Sequence, residues 1–467
     1  MMELKDNEIR MRFEGAGDFV ARELHCGRFT LYAYAIDGLV SSTAISDYIF
    51  KPISRHLAAE TMGQLYMAAL NGMVYNCVAK PCTDVEDVAR KLVNGFCVVL
   101  FPKAGAIAFE VKTGEKRSIS PPQIENTVKG PKDAFVETVR SNTSLIRRHL
   151  RTPDLRLYET TVGRRSLTNV AVVWIQGITN MEYVQRMKDR LASIDIDGLL
   201  SPAAVEEYVT GSRSTAFPLL QYTERTDRFC QGLLDGRVGL IVDGLPLAYL
   251  VPVDLGYFME STEDLNRDFL SASCIRVLRY AALLLSLLLP GLYIALVTFH
   301  QHWIPEALLN IILESRKGVP FQTGMEVLGL LIAYELLQES GIHMPQAIGQ
   351  SVSTIGGIVV GSAAVEAGLI SPVVLVIVSV AGVCGFVLPN RDLAQAVRIW
   401  RFAIGILAAF LGMWGIVLGA GVLLFHLGRM RSFGVPYLRI GRILRVRLKQ
   451  RKMRDLRLHP EDEKNQK

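Results

Sequence analysis

The chain has 467 residues, half of them hydrophobic, and its 51 Lys and Arg exceed its 45 Asp and Glu by six. This charge is concentrated at one end: residues 429–467 hold 13 basic and 4 acidic residues (+9), which leaves 38 basic and 41 acidic residues (−3) elsewhere. A nucleic-acid-binding surface over the body of the chain is therefore excluded. The basic tail suits either the anionic face of a cytoplasmic membrane leaflet or an ordinary positive-inside anchor.

The first half of the chain carries no signature of catalysis, metal binding or export. Its residues 1–18 are polar and lack the apolar core of a signal peptide. The seven cysteines of the chain form no C-x-x-C pair, and no P-loop, nucleophile-elbow or zinc-protease motif occurs. We therefore expect a cytoplasmic, reducing environment, with no catalytic residue, cofactor or metal site.

A pattern of strand, turn and helix occurs twice in this half. Apolar, β-rich runs over 29–36 and 169–175 end near Gly38 and Gly177, and in each unit a later helix ends at a glycine before a further strand. The paired glycines are 57 residues apart in the first unit (38 to 95) and 59 in the second (177 to 236). Helices alternating with strands at this spacing predict α/β units with parallel strand pairing.

The predicted fold class is an α/β soluble N-terminal region of two related α/β subdomains, followed by an α-helical polytopic membrane domain. A helix over 132–151 is expected to connect the subdomains. The predicted boundaries are 1–130 for the first subdomain, 131–160 for the linker helix, 161–275 for the second subdomain, 276–428 for the membrane domain and 429–467 for a basic cytoplasmic tail.

The membrane domain is predicted from long runs without Asp, Glu, Lys or Arg. Each exceeds the roughly 20 residues that a helix needs to cross about 30 Å of hydrocarbon. The runs are 280–305, 344–365, 367–390 and 402–428. Four crossings place both termini in the cytoplasm. The three arginines of 391–401 oppose this topology, because they would then lie in an outside loop.

Two further features of the membrane half are read from composition. Residues 306–342 mix charges with aliphatics at helical spacing, with Glu326, Glu335 and Glu339 mostly off the apolar stripe, which favours an interfacial or re-entrant amphipathic helix over a water-facing span. Pro290-Gly291 should kink the first span.

The second charge-free run differs from its neighbours because small and polar residues dominate it. Four of its residues share one helical stripe, and a glutamate follows about one turn later: Gln350, Thr354, Gly357, Gly361 and Glu366. On the residues alone, a helix–helix contact and a pore-lining helix are equally supported, and both are compatible in an oligomer. Two glycines of the last run, Gly415 and Gly419, are more simply explained by packing.

Short motifs occur in order along nearly the whole chain. They include Gly130-Pro131, Leu145-Ile-Arg-Arg148, Phe217-Pro218, Thr223-Glu-Arg225, 236–244, 287–293, 363–372 and 432–437. Together they resemble the A subunits of the GerA-family spore germinant receptors of endospore-forming bacteria. Thr226 departs from the pattern, because that family usually has Pro after Thr-Glu-Arg, and the loop at 389–391 is less typical.

The resemblance implies an A subunit in the inner spore membrane, with a transporter-like B subunit and a lipoprotein C subunit as partners. It also implies self-association into a ligand-gated cation channel whose opening starts germination, with the B subunit sensing the nutrient, and it raises the weight of a pore over 344–366. A non-conducting scaffold is the alternative, as is a related paralogue that acts with the SpoVA dipicolinate channel.

Overall fold

The computed structural model describes residues 4–55, 59–74, 77–112, 122, 125, 129–199, 201–211, 215–343 and 361–439. The chain forms two compact units. The soluble unit comprises Met1–Arg213 and Leu220–Pro252, and the helical unit comprises Ser214–Leu219 and Val253–Lys467. The short segment 214–219 therefore belongs to the helical unit, although its sequence lies within the second α/β repeat.

The soluble unit contains two five-stranded sheets with the same strand order. The first sheet has the order β1-β2-β4-β5-β3 and the second has the order β6-β7-β9-β10-β8. This identity confirms the two related α/β subdomains. The strands are β1 Phe19–Cys26, β2 Phe29–Ile36, β3 Ala79–Cys82, β4 Phe96–Phe101, β5 Gly105–Glu110, β6 Leu155–Val162, β7 Thr168–Ile175, β8 Gln221–Thr223, β9 Val238–Val242 and β10 Ala248–Val251.

The predicted parallel pairing is wrong, because every pair of neighbouring strands in both sheets is antiparallel. The prediction failed because strands of the sheet are buried on both faces. All six residues of β4 are buried, since one apolar core contains Val98 and a second core contains the adjacent Val99. Strands buried on both faces read as continuous apolar runs, which are typical of parallel sheets. Here helices cover both faces of an antiparallel sheet instead.

The four glycines that marked the repeat adopt the conformation expected of them. Their φ angles are +79° at Gly38, +81° at Gly95, +84° at Gly177 and +83° at Gly236. Glycine tolerates this left-handed region because it lacks a Cβ. The turn before each helix and the stop after each later helix are therefore encoded locally, at equivalent places in both subdomains.

Helices fill the remainder of the soluble unit. The helix Val85–Val93 begins where the Asp84 side chain accepts from the Asp87 amide at 2.7 Å, and it carries basic residues in its last turn. The α-helices are Asp6–Arg12, Ser42–Ala44, Lys51–Arg55, Met62–Ala68, Val85–Val93, Val139–His149, Met181–Ala192, Pro202–Thr210 and Thr226–Leu234, and the π-helical turns are Ile45–Phe50 and Ala69–Met73.

The helical unit is built from long apolar helices. Two of them, Phe269–Phe299 and Arg391–Leu411, are long and apolar enough to cross a membrane by length and composition, and Pro372–Phe386 and Met413–Arg429 are shorter apolar helices. Its elements are helices Leu255–Phe258, Phe269–Phe299, Glu306–Ser315, Thr323–His343, Pro372–Phe386, Arg391–Leu411 and Met413–Arg429, 3-10 turns Thr262–Asn266 and Gln301–Trp303, and strands β11 Arg431–Ser432 and β12 Val435–Pro436.

Two expectations for the last spans are wrong. The supposed outside loop 391–401 is the first half of the helix Arg391–Leu411, and the run 402–428 is broken at Gly412. The following helix packs closely along its predecessor. A Cβ at Gly415 would overlap the Leu407 carbonyl, and one at Gly419 would lie 2.9 Å from Ile404. These glycines permit a helical hairpin, in agreement with the predicted packing role.

The amphipathic segment 306–342 forms two helices, Glu306–Ser315 and Thr323–His343. Val327, Leu330 and Leu331 are buried as the apolar stripe predicts. Glu326 is also buried, with 2% exposure, which corrects its assignment to the polar face. Helical periodicity misplaced Glu326 because this carboxylate is buried and paired with Arg316 and does not face water.

Candidate functional site

The structure describes two of the five predicted pore residues, and Gln350, Thr354 and Gly357 lie outside the described residues. Gly361 is buried, and a Cβ there would lie 3.3 Å from Leu375. Glu366 is exposed and forms no ion pair with any residue that the structure describes. Within one chain, Gly361 therefore packs against the next helix, and Glu366 has a carboxylate available to solvent or to another chain.

Sequence reasoning missed a charged cluster inside the helical unit. Arg401 is buried, with 1% of its side chain exposed, and donates to Glu335 at 2.7 Å. Arg398 donates to the other oxygen of Glu335 at 2.9 Å and to Gln338, which in turn donates to the Tyr334 hydroxyl at 2.9 Å. Ionisable groups inside membrane bundles are costly and commonly functional. A separation of 66 positions hides this pairing from sequence periodicity.

A second carboxylate fixes the start of the helix that follows the predicted pore segment. Glu326 accepts from Arg316 at 3.2 Å and from the backbone N–H of Ser371 at 3.1 Å. Ser371 also caps the helix Pro372–Phe386 by accepting from the Val374 amide. Since negative charge is favoured at a helix N-terminus, Glu326 stabilises this end both by hydrogen bonding and by charge.

The two ends of the helical unit's sequence meet. Thr215 contacts His426 at 3.0 Å, and the Ser432 hydroxyl donates to the Leu219 carbonyl at 2.7 Å. The Phe217 ring packs on Tyr437 with a centroid separation of 6.2 Å. Two of the motifs noted in the sequence, Phe217-Pro218 and 432–437, therefore form one contact.

The soluble unit contains a cleft of about 860 Å³ between the first sheet and the helix Val139–His149. Its charged lining residues are Arg22, Asp37, Arg140 and Arg148, and Arg140 pairs with Asp37. Its hydroxyl-bearing lining residues include Ser41, Ser42, Thr43, Ser46, Thr138, Ser141 and Ser144. Three guanidiniums against one carboxylate, with many hydroxyl donors, suit a small anionic ligand.

The helix Val139–His149, which we call the connecting helix, is anchored by a buried arginine. Arg147 is fully buried and donates to both oxygens of Asp18 at 2.7 and 2.8 Å. It also donates to the carbonyls of Thr152 and Leu155. Guanidinium–carboxylate pairs of this bidentate kind fix geometry strongly. The connecting helix is thereby held against the beginning of the first subdomain.

A second buried arginine fastens the segment before the connecting helix. Arg225 is fully buried, donates to both oxygens of Asp227, and donates to the carbonyl of Pro131 at 3.0 Å. Nearby, the Phe135 amide donates to the Glu224 carbonyl at 2.7 Å. The motifs Gly130-Pro131 and Thr223-Glu-Arg225 meet here, so their roles are structural links within the soluble unit.

Three side chains meet beside Arg225. His149 Nε2 lies 2.6 Å from Asp133 Oδ2, and the Thr226 hydroxyl lies 2.5 Å from the same oxygen and 3.1 Å from the same nitrogen. The hydrogen bond to Asp133 raises the pKa of His149, and the bond from His149 lowers the pKa of Asp133 to about 2. Because one ring nitrogen makes both contacts, this group is not a nucleophile–base–acid relay.

Comparisons with known proteins identify the family of the chain. The family model described as Bacillus/Clostridium GerA spore germination protein matches residues 7–459. Bacillus subtilis (strain 168) uncharacterized membrane protein YfkQ is 34% identical over 93% of this chain and 85% of that protein. Spore germination protein A1 of the same organism is 37% identical over 77% of this chain and 75% of that protein.

A relative from another species is similar along almost the same length. Bacillus anthracis spore germination protein XA is 31% identical over 94% of this chain and 90% of that protein. The crystal structure of the N-terminal domain of the A subunit of the Bacillus megaterium spore germinant receptor GerK3 covers 53% of this chain and 92% of that chain, with 26% identity and a TM-score of 0.42. By the family match and these relatives, the chain belongs to the GerA family of spore germination proteins.

Proposed function

We propose that this chain is the A subunit of a nutrient germinant receptor and that it oligomerises into a cation channel in the inner spore membrane. The observation that carries the proposal is membership of the GerA family over nearly the whole chain. It is combined with an exposed Glu366, directly after the predicted pore segment, that forms no ion pair among the described residues. A ring of carboxylates from several copies would attract cations and raise their concentration at a pore mouth.

The proposed assembly includes a transporter-like B subunit and a lipoprotein C subunit. Both termini lie on the cytoplasmic side, where the basic tail meets anionic lipid. Cysteines introduced before residue 29 and after residue 429 should resist impermeant thiol reagents in intact cells. Modification at either position would contradict this topology.

The cleft of the soluble unit is proposed as a second ligand site, separate from the nutrient site that the resemblance implies in the B subunit. A small anion bound among its arginines would touch both the first sheet and the connecting helix. Binding energy from both sides of a cleft favours a changed spacing between them, which is the motion that a ligand-gated channel requires.

The test uses the full chain in potassium-loaded vesicles. Since the nutrient is not known, leaky variants carrying Val359→Ala or Val360→Ala supply the basal efflux. Adding Glu366→Gln should reduce the preference for cations over anions without preventing assembly. Glu314→Gln is the matched control, because Glu314 is also exposed and lies on another helix of the same unit.

Packing and conduction are separated by assembly measurements. A bulky replacement, Gly361→Leu, should reduce efflux, and its cross-linking pattern reports whether assembly is also lost, since its Cβ would press on Leu375. If efflux and selectivity are unchanged in all of these variants while oligomers form normally, the non-conducting scaffold becomes the better description. Genes for an amino-acid-transporter-like protein and a lipoprotein beside this one would favour the receptor over the SpoVA-associated paralogue.

A further inference from the structure

The group formed by Asp133, His149 and Thr226 joins three separate segments of the soluble unit. Asp133 lies in the segment that precedes the connecting helix, His149 is the last residue of that helix, and Thr226 is the first residue of the helix Thr226–Leu234. The side chain of His149 is 29% exposed and that of Asp133 is 18% exposed, while Thr226 is buried. Protons can therefore reach the histidine, although the contacts themselves are sheltered.

We propose that Asp133, His149 and Thr226 form a proton-controlled latch that holds the end of the connecting helix. In the protonated state, the His149 Nε2–H and the Thr226 hydroxyl both donate to Asp133 Oδ2. After loss of the Nδ1 proton, the neutral imidazole still donates from Nε2 to Asp133, but this hydrogen bond is no longer strengthened by a charge on the ring. The ion pair to Asp133 is then lost, so the loop and the helix end are held together less strongly.

The charged surroundings support this direction. From the helix Thr226–Leu234, Asp227 favours the protonated imidazole, and Cys230 is buried, which raises the pKa of its thiol and keeps it neutral. Arg225 is engaged by Asp227 and by backbone carbonyls. The charged groups that act on the histidine are therefore the carboxylates of Asp133 and Asp227.

The direction of the pH dependence follows from the shifted pKa values of His149 and Asp133. The pKa of His149 is raised above 6.5, so its contribution is complete below about pH 6.5 and is lost as the pH rises through the raised value. The pKa of Asp133 is lowered from 3.8 to about 2, so its contribution is lost only as the pH falls below about 4 toward 2. The latch is tight between these limits and loosens on the alkaline side.

The latch has a structural target. The connecting helix carries Arg140, Ser144 and Arg148 on one wall of the cleft. Loosening its C-terminal end changes that wall, and with it the affinity for an anion in the cleft. This last consequence rests on the proposed ligand site, whereas the latch itself does not depend on it.

Thr226 offers a variant that separates the latch from the fold. A first helical position has no intrahelical partner for its N–H and accepts proline, and Arg225 has the extended backbone (φ −95°, ψ 127°) that a following proline requires. Thr226→Pro and Thr226→Val therefore remove the hydroxyl while the helix start is retained.

The experiment measures hydrogen exchange at histidine C2 by mass spectrometry, with the full chain in detergent between pH 5 and 9. His25 is an exposed internal reference. Asp133→Asn should lower the midpoint of His149 by about one pH unit or more, because it removes an ion pair at hydrogen-bond distance. Thr226→Val and Thr226→Pro should raise that midpoint, because Asp133 loses a competing hydrogen-bond donor and interacts more strongly with the imidazolium.

Amide exchange supplies the second readout. In the parent chain, protection of 139–149, corrected for intrinsic rates, should fall as the pH passes the His149 midpoint, and in Asp133→Asn it should be low throughout. Asp195→Asn, which breaks an exposed pair with Arg164, should change neither readout. The latch does not exist if the His149 midpoint is the same in the parent, Asp133→Asn and Thr226→Val. It is equally contradicted if amide protection of 139–149 does not change with pH. Neither readout requires a channel, so failure of the latch would not contradict the proposed function, and failure of the proposed function would not contradict the latch.

Discussion

Both units bury arginine side chains completely, but they satisfy them differently. In the soluble unit, Arg147 has one carboxylate to itself and two backbone carbonyls besides. In the helical unit, Arg401 shares the single carboxylate of Glu335 with Arg398, and its Nε has no hydrogen-bond partner among the described residues. One site is fully matched, and the other holds two cations for one anion.

This difference indicates different roles. A fully satisfied guanidinium fixes the segments around it, because any movement leaves several buried groups without partners. A carboxylate that pairs with two arginines can release one and keep the other, which costs less. The soluble unit therefore uses buried charge as a static tie, whereas Glu335 lies where the helical unit can rearrange.

The largest expected effect comes from breaking the static tie. Arg147→Ala leaves Asp18 buried with 5% exposure and without its partner, so we expect a loss of about 3–5 kcal/mol in the unfolding free energy. Urea unfolding followed by pulse proteolysis of the soluble unit measures it. Arg165→Ala, at an arginine whose side chain is 84% exposed, should change nothing measurable. Equal stability of the two variants would contradict the comparison.

A smaller loss is expected in the helical unit. Glu335→Gln leaves two arginines without their shared carboxylate, but 26% of the Glu335 side chain is exposed and water can compensate in part. We expect a loss of about 2 kcal/mol, below that of a fully buried pair. Thermal unfolding in detergent measures it, and Glu314→Gln, in an exposed pair, should leave the transition in place.

The smallest effect sharpens the comparison most. Arg401→Met removes the more buried cation and leaves Glu335 paired with Arg398, so stability should change by less than about 1 kcal/mol in either direction. Thermal unfolding under the same conditions checks this. A loss as large as that of Arg147→Ala would mean that both units use buried arginine in the same way.

The duplicated architecture was readable from sequence because its markers are local. Four glycines at matched spacing mark turns and helix ends: Gly38, Gly95, Gly177 and Gly236. Each adopts the positive φ that only glycine accepts easily. The direction of strand pairing was not readable in the same way. Burial on both faces erases the alternation that distinguishes an antiparallel sheet with one solvated face.

The sites escaped prediction for a different reason. Asp18 and Arg147 are 129 positions apart, and Glu335 and Arg401 are 66 apart, so no local pattern links them. The predicted pore stripe was identified because its residues follow helical spacing within one run. Of that stripe, the structure describes only Gly361, together with Glu366 after it, and the pore remains a prediction.

The hairpin at Gly412 was missed because hydropathy shows how long an apolar run is but not where the chain reverses within it. Residues 402–428 are uniformly apolar, and a single glycine with φ +59° reverses the chain within them. Arg398 and Arg401 lie in the helix that ends before this reversal, and both pair with Glu335. Their charge is thereby compensated by Glu335, and the number of crossings and the topology stay predictions.

The contact of Thr215, Phe217 and Leu219 with residues 426–437 has a consequence for biosynthesis. These residues leave the ribosome more than 200 positions before their partners, and the edge strand β8 follows them directly. The segment 215–219 therefore lacks these partners until residues 426–437 have been synthesised. A nascent chain stalled before residue 430 should expose Phe217 and Leu219 to chaperones and proteases, so that the cell removes subunits whose membrane part is unfinished.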